Sequence, residues 1–427
     1  MRIIAGIDIG SSKIATIIAK VTPEEEKINI IGAATVPSAG IKKGQIVNIE
    51  EATNGIIASV EAAERMAGYN VSKVLVSIGG AHIASQNSRG VVAVAEPERE
   101  ITSEDVRRVF EAARAVSLPS SREIIHCLPR FFTVDSQEGV KDPIGMTGVR
   151  LEVETHIVTG ATTALRNLTK CISEVGADTE SIVFGGFAGS MSVLTETEKE
   201  LGVVLVDIGG GTTDIVIFIE GAPAYSSVLP LGAKNVTNDL AIGLRLSIEN
   251  AEKLKLSLSA GEKKAARPEG EEEKESSDEI ELLSLGIQDE DRKVSRKTLV
   301  EGIIKPRLNE IFNYVGLEIK KSGFGGMTPS GLVLTGGGAQ TIGAIEAAKR
   351  TLSMPIRVGI PGGVTGLVDD VLQPSFASSL GLIIYGSKMD EESSAKVSFS
   401  SLGRIVKSVP IGGVTQKITE LIKSFLP

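Results

Sequence analysis

Two stretches carry the reading of the fold: Gly6–Ile18, GIDIGSSKIATII, and Leu205–Phe218, LVDIGGGTTDIVIF. Each runs as an apolar strand, an Asp at the strand end, a glycine turn with small polar residues, and a second apolar strand. The same pattern twice in one chain reads as an internal duplication of half the fold. Outward from the first hairpin, a third strand is expected at Ile28–Ala34 and a helix at Glu50–Ala67. That helix would turn Ile56, Ile57, Val60, Ala63 and Met66 inward, and a buried strand Val74–Ile78 would follow. Before the second hairpin come a helix near Ala164–Val175 and strands Ser181–Phe184 and Val203–Asp207.

The region Ala84–Val153 has a different rhythm. Strand-like Gly90–Ala95 leads to a helix opened by Thr102 with Asp105 as its capping partner, then strand-like Glu123–Val134 and Val149–His156. This β-α-β-β unit reads as a small inserted domain. Farther on, Glu262–Glu281 is an acidic low-complexity segment expected on the solvated surface. A long helix follows Ser295, with Leu299, Ile303, Leu308, Ile311, Phe312, Val315 and Ile319 inward and a bend at Pro306.

Composition excludes several function classes. The chain has 427 residues, 42% hydrophobic and 23% charged, which suits two or more packed units. A formal charge of −9 argues against a general nucleic-acid binder, whose footprint is basic. Cys127 and Cys171 are the only cysteines and there are three histidines, so neither a disulfide framework nor a structural zinc site is expected. Asp8 interrupts the first apolar run, which argues against a signal peptide, and no stretch reaches the ~18–20 apolar residues that span a bilayer. Any membrane contact is expected to be peripheral, from a reducing cytoplasm.

The hairpins have the chemistry a nucleoside triphosphate needs. Phosphates require many backbone N–H groups at close range, which glycines permit, with small hydroxyls as extra donors. Carboxylates hold the accompanying cation through its water shell. The first hairpin offers Asp8, Gly10, Ser11, Ser12 and Lys13; the second offers Asp207, Gly209, Gly210, Gly211, Thr212, Thr213 and Asp214. Asp8 and Asp207 are candidate water-mediated magnesium ligands, the alternative being strand-end carboxylates that accept turn N–H bonds. No Walker A loop is present, and no GxGxxG stands in a dinucleotide-binding context.

The pair resembles the two phosphate loops of the actin, Hsp70 and sugar-kinase superfamily. Val333–Arg350, VLTGGGAQTIGAIEAAKR, is similar to its adenosine motif, which implies Gly336, Gly337, Gly338 and Ala339 at the nucleotide. Glu249–Leu258, ENAEKLKLSL, matches its AExxK helix, with Glu252 and Lys255 toward ribose and base, and Gly232 and Asn235 lie in the similar LPLGAKN segment. Phe376–Gly386, FASSLGLIIYG, resembles the closing connecting helix. The resemblance implies an α/β actin-like (ribonuclease H-like) duplicated ATPase fold binding ATP and Mg2+. Relatives usually supply a Glu for hydrolysis from the region before the second hairpin; here IVTGATTALRNL and IVFGGFAGSMSVL have no acid at the matching places, and Ala233 stands where many have a second Gly. Tight ATP binding with slow or undetectable turnover is expected, and no catalytic residue is assigned.

Within that superfamily, Ala39–Ala52, AGIKKGQIVNIEEA, and Lys297–Phe312, KTLVEGIIKPRLNEIF, are similar to the FtsA family of bacterial cell-division proteins, whose inserted domain falls at the same place. The implied organisation is domain I (1A) at 1–83, 160–200 and 374–386, and an inserted domain (1C) at 84–159. Domain II (2A) covers 201–230 and 300–373, with a small domain (2B) at 231–299 that carries the acidic loop 262–281. A flexible linker at 387–412 and an amphipathic helix at 413–427 complete the chain. By the same resemblance the protein self-associates into actin-like filaments and docks the C-terminal peptide of the tubulin-like protein FtsZ on its second small domain. Arg292, Lys293, Arg296 and Lys297 are candidates for holding that peptide, or else a solvated helix start. Other division proteins are expected on the inserted domain, at the cytoplasmic face of the cell membrane at the division site.

Val414–Leu426, VTQKITELIKSFL, places Val414, Ile418, Leu421, Ile422, Phe425 and Leu426 within about 140° of arc, with charged and polar residues opposite. After a polar linker this reads as an interfacial helix for an anionic membrane surface, the alternative being a helix docked on the protein's own core. A sugar or acetate kinase of the superfamily would have no use for such a tail. A pilus-assembly relative of the FtsA family is not expected to carry a membrane helix of its own.

Overall fold

In the computed structural model, residues 2–22, 27–95, 100–265, 278–287, 293–367 and 370–394 are described. The first hairpin is β1 (Arg2–Ile9) and β2 (Lys13–Thr22), followed by β3 (Lys27–Pro37) and the short pair β4 (Ile41–Lys42) and β5 (Gln45–Ile46). Helix α1 (Ile49–Ala67) is capped by Asn48 and stopped by Gly68 in the left-handed region, φ 69°. Its buried face is Ala52, Ile56, Val60 and Ala63; Met66, expected inward, is 55% exposed and touches β3 through its sulfur, which accepts from the Ala33 N–H at 3.4 Å. β6 (Lys73–Ile78) completes this half.

The inserted domain holds β7 (Ala84–Ala93), α2 (Ser103–Arg114), β8 (Arg122–Val134), β9 (Gln137–Val140) and β10 (Arg150–Ala161). Thr102 and Asp105 form the expected capping box. The sheet order is β7-β10-β8-β9, so the β-α-β-β reading misses β9. That strand, QEGV, is too short and glycine-broken for an alternating pattern to show. α2 lays Val106, Val109, Phe110 and Ala113 on one face of the sheet in a separate small core.

The chain returns through α3 (Thr162–Glu174), β11 (Asp178–Phe184), α4 (Gly185–Val193) and α5 (Glu196–Leu201). The second half then opens with β12 (Val203–Ile208), β13 (Thr213–Ile219) and β14 (Ala222–Leu229). Next come α6 (Ala233–Leu244), α7 (Ile248–Ala265), the hairpin β15 (Glu279–Glu281) and β16 (Lys293–Ser295), and α8 (Arg296–Leu299). A π turn at Val300–Ile304 joins α8 to α9 (Lys305–Ser322). The Lys305 N–H reaches back five residues to the Val300 carbonyl, so the expected irregularity at Pro306, which has no N–H to give, takes the form of a widened turn. β17 (Leu332–Thr335), α10 (Ala344–Leu352), β18 (Ile356–Val358), β19 (Thr365–Gly366) and α11 (Ala377–Ser394) end the described chain.

The duplication is plain in the sheets. One has the order β11-β6-β1-β2-β3-β19 and the other β14-β13-β12-β17-β18. In each, an antiparallel three-strand meander (β1-β2-β3, β12-β13-β14) is extended by parallel strands beside its first member. One apolar core takes side chains from both sheets, Ile7, Ile14 and Val76 from the first and Leu205, Val216 and Val333 from the second, and another backs the other face of the second sheet. α4 and α11 cross between them so closely that a Cβ on Gly381 would lie 1.8 Å from the Ala188 carbonyl.

Two boundaries differ from the expected ones. α11 runs to Ser394, so the segment from Ser387 onward starts as helix with Met389 buried, continuing the apolar face of the preceding turns. α7 runs to Ala265 and Glu279–Glu281 forms a strand, which shortens the acidic segment from both sides. The amphipathic stretch 413–427 lies outside the described residues. Among the described residues no helix is long and apolar enough to cross a membrane.

Candidate functional site

Both glycine turns open onto one cavity of about 540 Å³, in the range of small-ligand sites. Of the residues singled out from sequence, Asp8, Gly10, Ser11, Ser12, Lys13, Asp207, Gly209, Gly210, Thr212, Asp214, Glu252, Lys255, Gly336, Gly337 and Gly338 line it. Gly211, Thr213, Gly232, Asn235 and Ala339 do not, and each has a packing task instead. Gly211 lies under Ser11, where a Cβ would come within 2.8 Å of the Ser11 hydroxyl. Thr213 donates to the Leu231 carbonyl at 2.9 Å, Asn235 accepts from the Gly232 N–H at 3.1 Å, and Ala339 is buried in the domain II core.

The two turns are built alike. The Gly10 N–H bonds the Lys13 carbonyl at 3.0 Å and the Gly209 N–H bonds the Thr212 carbonyl at 2.8 Å. They also touch each other: a Cβ on Gly210 would lie 2.0 Å from Ser12 Oγ. The Gly209 and Gly210 carbonyls take the Ala233 and Lys234 N–H groups at the start of α6, and Lys234 Nζ reaches across to the Ser11 carbonyl at 2.7 Å. Ser11 Oγ in turn accepts the Gly44 N–H at 2.9 Å.

Three carboxylates stand at the inner end. Asp8 accepts from Ser77 Oγ at 2.6 Å and from Ser379 Oγ at 3.2 Å, and Asp207 accepts from Ser378 Oγ at 2.9 Å. Although the cleft leaves Asp207 some solvent contact, protein surrounds its carboxyl and desolvation pushes the pKa up to about 7. Asp214, opposite Asp207 on the β12–β13 ladder, is raised well above the carboxylate range, first by burial and then by Asp207 and Asp8. Its Oδ1 is buried without a hydrogen-bond partner. Desolvation lowers Lys13 to about 8, against the pull of Asp8 and Asp207; its ammonium sits 3.3 Å from the centre of the Phe376 ring.

At the other end, Glu252 pairs with Lys255 at 2.7 Å on α7, facing Gly336–Gly338. Gly336 has φ 84°, and a side chain there would collide with Asp207 Oδ1 at 2.1 Å. Sequence reasoning missed Ser77, Gly79, Gly185, Lys234, Leu256 and Ser378 as cavity residues. Gly185, Lys234, Leu256 and Ser378 lie inside quoted motifs that did not single them out, whereas Ser77 and Gly79 converge only through the sheet topology.

The basic cluster divides. Arg296 and Lys297 line a shallow hollow with Asp278, Val300, Glu301, Ile342 and Glu346. Lys293 instead pairs with Glu279 and Glu281 across the β15–β16 hairpin, at 3.5 and 3.3 Å. Arg292 lies outside the described residues, as do Val414, Ile418, Leu421, Ile422, Phe425 and Leu426.

Comparison with known proteins agrees with this architecture. Residues 80–159 match the model of the SHS2 domain inserted in FtsA, and residues 204–381 match that of the cell division protein FtsA. The chain is 40% identical over 411 residues to the cell division protein FtsA of Pseudomonas aeruginosa, covering 96% of this chain and 95% of that one. Among solved structures, the PilM–PilN type IV pilus biogenesis complex is similar with a TM-score of 0.61 at 17% identity, over 90% of this chain and 98% of that one. MreB5 of Spiroplasma citri bound to AMPPNP has a TM-score of 0.52 at 13% identity, over 92% and 99%. The fold is thus actin-like with a small inserted domain.

Proposed function

Because the chain belongs to the FtsA family of cell-division proteins, we propose that it binds Mg2+–ATP between its two hairpins, self-associates in actin style, and fastens FtsZ polymers to the cytoplasmic face of the membrane. The observation that carries the nucleotide reading is the convergence of two duplicated glycine turns and a third glycine strand–helix turn on one cavity. With the Gly10 and Gly209 N–H groups closing the turns, those of Ser11, Ser12, Gly210 and Thr212 suit phosphate oxygens, and Lys13 adds a cation beside them. Glu252, Lys255 and Leu256, facing Gly336–Gly338, suit the nucleoside.

The site also fits magnesium as that ion is usually held, through one or two carboxylates, substrate phosphates and retained water. Among the described residues no closed cage of three or more metal-ligating side chains exists. Asp8 and Asp207 provide the carboxylates, and a dication there favours the ionised form of Asp207 that burial opposes. Magnesium would supply charge neutralisation to the phosphates. The chain's residues orient and desolvate. Asp214 lies against Gly185 and Gly186 in the strand–helix region before the second hairpin, and burial pushes its carboxyl well above the carboxylate range, which makes it a poor acceptor of a proton from water. Slow turnover follows.

The hollow at Arg296 and Lys297 sets three basic side chains (with Lys305) against Asp278, Glu301 and Glu346 around Val300 and Ile342, so a peptide such as the FtsZ C-terminal peptide would be held there by an apolar anchor and by pairing of mixed charge. The amphipathic sequence at 413–427, outside the described residues, supplies the membrane contact in this reading. A single shallow helix binds weakly and reversibly, and many on one filament bind firmly through avidity. Lipid co-sedimentation with anionic vesicles tests this, using the full chain and a truncation after Ser394, with and without Mg-ATP. The full chain alone should pellet, more completely with Mg-ATP; equal behaviour of the two would assign the tail to the fold and remove the tether.

A further inference from the structure

α11 enters the cleft with two consecutive serines, and each reaches a different half of the duplication. Ser378 Oγ donates to Asp207 Oδ2 at 2.9 Å, and Ser379 Oγ donates to Asp8 Oδ2 at 3.2 Å. One helix of domain I therefore holds one carboxylate from each hairpin, including the one that belongs to domain II. The two are not equally supported. Asp8 has a second hydroxyl, Ser77 Oγ at 2.6 Å on its other oxygen. Asp207 has, among the described residues, Ser378 as the only hydroxyl bonded to its carboxylate.

The free oxygen of Asp207 is confined from the other side. Gly336 brings its Cα so near that a methyl group there would stand 2.1 Å from Oδ1. With Oδ2 tied to Ser378 and Oδ1 against Gly336, the carboxylate plane has little freedom left. Ser378 Oγ also lies 3.2 Å from the Gly185 carbonyl, which keeps the hydroxyl over the α4 start between the two acceptors; the shorter, charge-assisted bond to Asp207 is the stronger.

We propose that Ser378 is a positioning residue that orients Asp207 toward a magnesium-bound nucleotide, with Ser379 doing the same, less critically, for Asp8. This rests on the Mg2+–ATP reading above. Magnesium tolerates little departure from octahedral geometry, and partners that orient its carboxylates commonly change metal affinity 10–100-fold. Ser379 does not line the cavity and Ser378 borders it with its hydroxyl committed to Asp207, so their effect should appear chiefly in the metal-dependent part of nucleotide binding.

Calorimetric titration of ATP into the full-length protein, in Mg2+ and in EDTA, gives that part as a ratio of dissociation constants. Ser378→Ala should lower the ratio about tenfold while leaving the EDTA affinity within about twofold. Ser378→Thr, which keeps the hydroxyl, should restore the ratio, and Ser379→Ala should lower it less than Ser378→Ala because Ser77 still holds Asp8. An unchanged ratio in Ser378→Ala, or an equal loss with and without Mg2+, overturns the positioning role. A wild-type protein that binds ATP equally in Mg2+ and EDTA overturns the magnesium reading on which this rests, and one that does not bind ATP overturns the nucleotide reading itself.

Discussion

Across the ladder from Asp8 stands Ala15; across from Asp207, at the same point of the second hairpin, stands Asp214. The turns between are equal in length and closed by the same bond, so Lys13 in one answers to Thr212 in the other. Duplication has kept the backbone's task, a ring of N–H groups, and divided the charge: one half brings a cation, the other a second acid. It has divided bulk as well. Ser11 and Ser12 of the first turn fill the space over Gly211 and Gly210 of the second, as knobs over holes.

The strongest way to break this complementarity is to give both turns side chains. Gly210→Ser would drive its Cβ to within 2.0 Å of Ser12 Oγ. A loss of roughly 1–3 kcal/mol of stability is expected for such overpacking, with ATP affinity down more than tenfold. The pair Ser12→Gly with Gly210→Ser should recover more than half of both losses, read by thermal unfolding and calorimetry. Absence of recovery would mean that the two turns do not bear on one another.

The charge division predicts an effect of pH on the ligand-free protein. Asp207 holds its proton to about pH 7 in the fold, where the unfolded chain releases it near 3.8. The native state thus binds the extra proton between these values, and Asp207's contribution to stability is present at low pH and lost as pH rises toward 7. His126 and His156 act oppositely, since burial lowers them to about 4 and about 3, so wild type must be read against Asp207→Asn. Relative to that variant, wild type should lose on the order of 2 kcal/mol between pH 4 and 7.5 in EDTA. A flat difference would show that Asp207 is no more strained than an ordinary strand-end acid.

How much of this was legible in the sequence follows from what spacing can carry. The hairpins were legible because strand, Asp, turn and strand are contiguous, and the same holds for the Thr102–Asp105 cap. Ser77, Gly185 and Ser378 were not, because they reach the cavity from the ends of β6, β11 and the start of α11, and no local pattern says that three chain segments end at one point. Asp214 could be quoted with its hairpin, yet its buried, partnerless Oδ1 depends on the register that sets it against Asp207. The linker boundary failed for another reason: Ser387 and Lys388 look polar, while the helix continues on its buried face through Met389.

The halves differ again at their outer edges. β3 is covered by backbone pairing with β19. Its counterpart β14 is covered by side chains of the inserted domain: Ser85 Oγ donates to the Ser226 carbonyl at 2.7 Å and accepts its N–H at 3.0 Å, and Asn87 Nδ2 donates to the Ala224 carbonyl at 3.1 Å. Buried His156 completes the seal, with Nδ1 on Asn87 and Nε2 on Ser226 Oγ. Ser85→Ala removes the only partner of the Ser226 N–H in that seal and should cost about 1 kcal/mol. Hydrogen exchange should speed up severalfold across Ala222–Leu229 and leave β3 unchanged. Equal protection in the variant would mean that the inserted domain does not guard this edge.

The smallest effect falls on the cation of the first turn. Desolvation lowers Lys13 to about 8, whereas Thr212 at the same position of the second turn has no charge to lose. Raising the pH therefore weakens the first hairpin's hold on a polyanion, while Asp207 of the second, with its pKa near 7, completes its ionisation at the low end of the same range. Between pH 7 and 8.5 the charged fraction of a group with pKa 8 falls about fourfold, and ATP affinity in EDTA should fall by up to that factor. Lys13→Arg keeps its charge at every such pH and should flatten the profile. A profile equally steep in Lys13→Arg would move the titration elsewhere in the cleft. The cation would then matter less than the N–H ring that both turns share.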